Sequence, residues 1–310
     1  MKKIKLVTNA FGWRWTLLKQ KINYLVWDLK LLFDFSKKEN IDSISIIVVG
    51  RNDNYGGDFS KRLQATLDFN FSRLPNSEII YIEWNRIEDR PGDCKWIVER
   101  YKNAKCFIVP KTIHDSVCRN PKMPMMEYFA KNLGIRKATG DWILMINADV
   151  FIGNDVLSNM KRLNKDTVYG THYVSIKWDG KPLTDHHQQD ESNVVIKFPA
   201  PAELGSVVGN FILTHKKNWL KATGYDESLK NVRAGVDSNG LDQLLYLGLK
   251  TLVIGHHYHL DHPESIIHGL NDTHGIHHFK NIPYKNPGNW GLIHYPLKQI
   301  SDRIWELQKI

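Results

Sequence analysis

A chain of 310 residues with 42% hydrophobic and 24% charged residues can bury one large or two smaller cores, which excludes a disordered chain. Its three cysteines, Cys94, Cys106 and Cys118, are odd in number and form no CxxC pair, so a disulfide framework and a thiolate zinc site are excluded and a reducing compartment is expected. The net charge of +9 suits an anionic ligand, but Lys and Arg are spread along the chain without a helix-turn-helix, zinc-finger or RNP-like pattern; this disfavours nucleic acid.

In chain order, the start MKKIKLVTNAFGWRW lacks the apolar core and cleavage site of a signal peptide. No stretch reaches the roughly 18 apolar residues of a spanning helix, so a cytoplasmic protein is expected, with room for a peripheral place on the inner face of a membrane. Leu18, Ile22, Leu25, Leu29 and Leu32 fall three or four apart, which predicts an amphipathic helix in an N-terminal extension, residues 1–42. Trp13, Trp15, Trp27 and the surrounding lysines suit membrane-surface contact through residues 13–35, while Asp28 and Asp34 weaken it. Packing on the same domain or on a second subunit is the alternative.

From Ser43 the pattern becomes short apolar runs separated by helical stretches, the sign of an α/β, mostly parallel central sheet flanked by helices. Strands are expected at 44–49, 78–83, 106–109, 142–146, 167–176, 207–213 and 251–254, and helices at 59–74, about 125–138 and 239–248. From about 255 the chain is rich in His, Asn, Gly and Pro and reads as a His-rich loop region with a tail helix at 298–308.

In an open parallel sheet, ligands sit beyond the carboxyl ends of the strands. Three polar strand ends stand there: Arg51-Asn52-Asp53, Glu83-Trp84-Asn85 and Asn147-Ala148-Asp149. Asp149 follows a fully apolar run and is placed to hold Mg²⁺ or Mn²⁺, which neutralises phosphate oxygens; a helix cap or turn is its other use. Nine of the fourteen histidines fall between 256 and 294, but HHYHLDH lacks the HExxH spacing of a zinc hydrolase. These imidazoles could be metal ligands, loop hydrogen-bonding groups or phosphate contacts. Trp290, within NPGNWGL, is the aromatic best placed to stack on an acceptor sugar.

Residues 130–149 (AKNLGIRKATGDWILMINAD) resemble the ARNxGxxxAxGxxxxxxxxD region of GT-A fold glycosyltransferases of the family-2 type, a Rossmann-like fold. Ser45 to Asp53 is similar to the family's nucleotide-binding first strand, Glu83-Trp84-Asn85 to the acidic end of the second, and Gly224-Tyr225-Asp226-Glu227 to the GxDE turn. The resemblance covers about 43–260, with a nucleotide-binding half at 43–150 and an acceptor half at 151–260; 261–310 would pack on the same domain.

The resemblance implies an inverting transferase that moves a sugar from a nucleotide-diphosphate donor to a hydroxyl of a glycan or lipid-linked acceptor. Arg51, Asn52 and Asp53 would approach the base and ribose, with Glu83 facing the base and Asn85 beside it. Asn132 and Arg136 would lie beside the nucleotide. Asn147 and Asp149 take the positions of the acidic metal motif, with Asn147 replacing the first acid. His259 or His262 would supply a further metal ligand; if neither reaches Asp149, metal binding should depend on nucleotide. Asp242 matches the general base, with Leu241 in place of the family's Glu, and Asp237 is the alternative. The losses at 147 and 241 keep open a non-catalytic nucleotide- or glycan-binding protein. A sugar nucleotidyltransferase is disfavoured because GRNDNYGGDF lacks that class's basic Gly-rich loop.

Overall fold

The computed structural model describes residues 18–200, 210–232, 236–264 and 283–309. A first helix, α1 (18–32), leads through a short strand β1 (Glu39–Asn40) into the first apolar run, β2 (Ile44–Gly50). Then follow α2 (Phe59–Arg73), β3 (Glu78–Trp84), α3 (Cys94–Arg100), β4 (Ala104–Val109), α4 (Lys111–Val117), α5 (Glu127–Lys137) and β5 (Trp142–Ile146). All seven residues of β2 are buried because both faces of the strand are covered, and this is why it reads as a continuous apolar run.

Alternate residues of β2 feed two layers. Ile47 and Val49 pack with Leu133 of α5, and Ile46 and Val48 pack with Leu63 and Leu67 of α2 and Ile97 of α3. On the α5 face, Gly134 lies so close to β2 that a Cβ there would come within 2.5 Å of the Ile47 side chain.

The second half contributes β6 (Val150–Ile152), α6 (Asn154–Asn159), β7 (Arg162–Leu163), β8 (Thr167–Ile176), α7 (His186–Gln189), β9 (Val194–Phe198) and β10 (Phe211–His215). It continues with α8 (Lys216–Ala222), α9 (Val236–Leu245), β11 (Lys250–Leu260), β12 (Leu297–Ser301) and β13 (Ile304–Leu307). The main sheet has 11 strands in the order β12-β13-β4-β3-β2-β5-β10-β8-β11-β6, with β9 beside β8. Pairing is parallel from β13 to β5 and mixed beyond, since β10 runs antiparallel to both β5 and β8 while β11 runs parallel to β8. The expected α/β architecture of a large central sheet flanked by helices is therefore present. The chain winds outward from β2 through β3 to β4, then returns to place β5 on the other side of β2. That reversal opens a crevice between the carboxyl ends of β2 and β5.

Two sequence-based expectations change. The strand expected at 251–254 runs on to Leu260, so His256, His257 and His259 lie in a strand rather than a loop. A register shift between Val253 and His256 accompanies this, at Gly255 with φ +140°, where a Cβ would strike the Asp155 carboxylate. The expected tail helix at 298–308 is instead the β12–β13 hairpin, whose second strand pairs in parallel with β4. The open edge of β4 needs backbone partners, and that tertiary demand outweighs local helical preference. Trp305 stacks on Phe107 at 5.3 Å, and the Arg303 guanidinium in the turn donates to the carbonyls of Val98, Tyr101 and Lys102. The three cysteines are free thiols, and no described helix is long and apolar enough to cross a membrane.

Because the α5–β2 contact leaves no room for a methyl group, Gly134→Ala should lower unfolding stability by about 1–3 kcal/mol. Urea denaturation measures it, and an unchanged midpoint would refute the close-packing account.

Candidate functional site

The crevice at the β2/β5 reversal is a pocket with three walls. Gly50, Arg51, Asp53, Tyr55 and Phe59 come from the end of β2 and the loop into α2. Met123, Pro124, Met125, Glu127 and Tyr128 come from the entry to α5, and Asn147, Ala148 and Asp149 follow β5, with Val232 at the side.

Register places the histidines at Asp149. The short strand β6 pairs antiparallel with β11, setting His259 opposite Val150, and the Leu260 amide donates to the Asp149 carbonyl at 2.9 Å. After the bulge, His257 and His259 share one face of β11, where Thr171 and Ser175 of β8 meet their Nδ1 atoms at 2.7 and 3.3 Å. These contacts leave His259 Nε2 at 3.5 Å from Asp149 Oδ2, while His262 Nε2 approaches the same oxygen at 3.1 Å. His262 in turn sits edge-on to the Tyr55 ring and against Gly56, where a Cβ would come within 2.3 Å of the imidazole. Gly56 has φ +64°, so both its conformation and the space require glycine.

The opposite side of the Asp149 turn is fixed by α2. Thr66 Oγ1 donates to the Ala148 carbonyl at 2.6 Å, and Asn70 both donates to the Val150 carbonyl and accepts from the Ile152 amide. One turn before Thr66, the buried Arg62 guanidinium donates to the carbonyls of Tyr55, Gly56 and Gly57, and its Nε lies 4.0 Å from Asp149 Oδ2. Burial alone would push the Asp149 carboxyl up. His259 and His262, as opposite charges and hydrogen-bond donors, instead hold it far below the usual carboxylate range.

The donor atoms of Asp149, His259 and His262 all lie within 4.8 Å of one another, and each residue is buried. One carboxylate oxygen and two imidazole nitrogens converging on one point fit a divalent transition ion. A mixed N/O set suits Mn²⁺ better than Mg²⁺, which prefers oxygen alone.

Among the other sequence-predicted residues, Arg51, Asp53 and Asn147 line the pocket. Arg51 pairs with Asp53 at 2.8 Å and donates to the Asn85 carbonyl, and Asn147 donates to the Asn210 side chain at 2.9 Å. Asn52, Glu83, Asn85, Asn132 and Arg136 are not among the lining residues; each is engaged in holding neighbouring chain. Asn52 binds the backbone of Ile87 and Arg90, and Asn85 donates to the Pro124 carbonyl. Glu83, expected to face a base, turns away under the start of α3 to accept the Asp93 amide, and burial raises its pKa. Asn132 grips Tyr225 through both its amide and carbonyl, and Arg136 lies over the Trp290 ring at 4.9 Å. Trp290 is itself buried in the core, so it offers no face to an acceptor.

Asp242 is half-buried on α9, outside the pocket lining, and its burial raises its carboxyl pKa. The side chain of Asp237 and residues His268, His274, His277 and His278 lie outside the described residues. His256 pairs with Asp155 at 2.6 Å rather than with Asp149.

Sequence reasoning missed Arg62, Tyr55 and Glu127. A signal for Arg62 exists: Arg62, Thr66 and Asn70 are polar residues at i, i+4 and i+8 on the otherwise apolar face of α2.

No family model matches the chain, and no curated protein matches it. Among solved structures it is similar, at 13% identity and TM-score 0.46, to GalNAc-T7 with UDP, GalNAc and Mn²⁺, covering 72% of this chain and 44% of that one. It is similar at 16% identity and TM-score 0.41 to S. aureus TarS 1-349, covering 72% and 61%. The mannosyltransferase PcManGT from Pyrobaculum calidifontis in complex with GDP-Man and Mn²⁺ shows 13% identity and TM-score 0.46, over 82% and 66%. The chain thus spans between 44% and 66% of the lengths of these three structures.

Titration with Mn²⁺, followed by the spin-resonance signal of the free ion, should show binding that Asp149→Asn and His262→Ala each weaken by more than about tenfold. His256→Ala should leave the titration unchanged. Equal loss in all three variants would mean that metal binds the histidine-rich segment without a defined site.

Proposed function

We propose that this chain is a glycosyltransferase of the GT-A type that moves a sugar from a nucleoside diphosphate donor to a hydroxyl of a glycan or lipid-linked acceptor, with inversion. The observation that carries this reading is the convergence of Asp149, His259 and His262 beside a pocket at the sheet's reversal point. Such a crevice suits a nucleotide, and a buried carboxylate flanked by imidazoles at its edge suits the diphosphate end.

Arg51 and Asp53, at the end of β2, would meet the base and ribose, and Asn147 would lie between them and the diphosphate. Asn52, Asn85 and Asn132 would act one step back, by fixing the loops that shape the pocket. A divalent ion held by Asp149, His259 and His262 would supply electrostatic stabilisation of the charge that grows on the leaving diphosphate. Arg62 holds the 55–57 loop against His262 and adds a fixed positive charge beside Asp149.

In the transfer itself, the acceptor oxygen forms a bond to the anomeric carbon as the bond from that carbon to the diphosphate oxygen breaks. The hydroxyl proton passes to a carboxylate on the face opposite the leaving group, which gives inversion. We assign that carboxylate to Asp242, with Asp237 as the alternative. A nucleotide- or glycan-binding protein without turnover is the second reading, favoured by Asn147 in place of an acid and by the position of Asp242 outside the pocket lining.

Purified protein offered a panel of nucleotide sugars should hydrolyse or transfer at least one donor in a Mn²⁺-stimulated manner, and Asp149→Ala should abolish the stimulation. No turnover of any donor, together with nucleotide binding indifferent to metal, would select the second reading.

Asp242→Asn should lower transfer by about 10²–10⁴-fold. A base must be ionised to act, so a raised pKa moves the loss of activity on acidification to a pH above the ordinary carboxyl value of 3.8. A rate profile with an acid limb at or below that value, or near wild-type transfer by the variant, would remove Asp242 from the role.

A further inference from the structure

The face of α1 expected from its spacing to be apolar is turned outward. Leu18, Ile22, Leu25, Leu29 and Leu32 are between 43% and 71% exposed, and Phe33 and Phe35, just beyond the helix, are 61% and 88% exposed. Scattered exposed leucines are ordinary, whereas five large apolar side chains on one helical stripe, followed by two exposed phenylalanines, mark a binding surface.

The opposite face is where α1 attaches. Trp27 is 1% exposed, donates its indole N–H to the Ala200 carbonyl at 2.9 Å and packs with Ala200 and Val253. Tyr24 lies 4.5 Å from the His172 ring and 6.0 Å from that of His256. The helix is therefore fixed to the domain through its narrow aromatic side, and its wide leucine side is left free of the core.

Charge identifies the occupant. With successive side chains about 100° apart, Lys19 and Lys30 fall on one side of the stripe and Lys21, with Asp28, on the other, and the Lys30 ammonium lies 4.1 Å over the Trp27 ring. Asp28 is the single acid of the described helix. Beyond it, Asp34 is paired with Lys38 at 3.1 Å. A leucine stripe on a helix with three lysines against one acid matches a surface that is apolar inside and anionic at its edge. A second copy fits less well, because each helix would bring a net positive charge, three lysines against one aspartate, to the seam.

We propose that α1 seats this protein on an anionic lipid surface, with the leucine stripe and Phe33 and Phe35 at the headgroup boundary and Lys19 and Lys21 among the lipid phosphates. The helix lies in the surface plane. Trp27 and Tyr24 fix its opposite face to the domain, so the leucine face meets the surface side-on. This inference stands on α1 alone and is independent of the donor site.

The test is flotation of the full chain with vesicles of phosphatidylcholine, alone or mixed with phosphatidylglycerol. The protein should float with the mixed vesicles and remain in solution with phosphatidylcholine alone. The double substitution Leu25→Glu and Leu29→Glu should abolish flotation, and Lys19→Glu with Lys21→Glu should weaken it by at least about thirtyfold. Both variants alter exposed side chains and should keep the wild-type thermal melt; were they to misfold, the contrast between the two vesicle compositions still decides. Equal flotation with both compositions, or none with either, overturns the proposal. So does a wild-type dimer in sedimentation that the leucine substitutions convert to a monomer, since a second copy would then own the face.

Discussion

A carboxylate removed from water must be compensated, and in this protein the compensation of Asp149 organises the site around it. Two imidazoles approach one of its oxygens and a guanidinium flanks it, each brought from a different part of the chain. His259 arrives through the β6–β11 ladder, His262 through the turn that follows, and Arg62 from α2. The backbone on either side of the carboxylate is tied down as well, by Thr66 and Asn70 from one direction and by the Leu260 amide from the other. Preorganisation of this kind means that the charged group does not have to reorient when a ligand's charge arrives.

The same logic explains which parts of the molecule were legible in the sequence. Strands β2, β3 and β5 are covered on both faces, so burial makes them mostly apolar runs, interrupted by Ser45 and Glu83, and their limits could be read almost to the residue. Asp149 was legible for the complementary reason that a charge directly after such a run is conspicuous. Strand β11 was cut short in the reading because its second half is written in histidines, which look like loop. Their alternation is nevertheless that of a strand, with His257 and His259 inward and His256 and Tyr258 on the other side, once the bulge at Gly255 resets the phase. The β12–β13 hairpin was hard to read, since in LKQISDRIWEL the turn is marked only by Ser301-Asp302, without Gly or Pro, and its pairing with β4 is fixed by an edge about 200 residues earlier in the chain.

Residue type and residue role separate most clearly among the asparagines. Asn52, Asn85 and Asn132 stand at positions that a sequence reading assigns to ligand contact, yet each spends its amide on backbone groups of another segment. An amide carries donors and acceptor in one rigid plane, so it can satisfy two buried backbone groups that no regular element reaches. Asn132 does this for the Gly224–Glu227 turn, while Glu227 accepts from both Asn132 and the Gly291 amide. The motif therefore ties α5, the turn and the C-terminal segment together, and its effect on the pocket passes through the position of α5, whose first turn supplies Glu127 and Tyr128 to the lining.

Asn147, at the position where the resemblance would put an acid, takes a different meaning once both histidines are seen at Asp149. With Asp149 alone, a cation would have only one protein charge to bind and would need the phosphates of a nucleotide to hold it. With two imidazoles beside it, three protein donors converge before any nucleotide arrives, and the neutral Asn147 is free to engage Asn210. A second carboxylate at 147 would place two like charges side by side in a buried turn, each raising the cost of ionising the other. Histidine avoids that cost because it coordinates while neutral, so the site gains ligands without gaining negative charge. Arg62 moves the balance further in the same direction: a single carboxylate next to a fixed cation leaves the corner close to neutral.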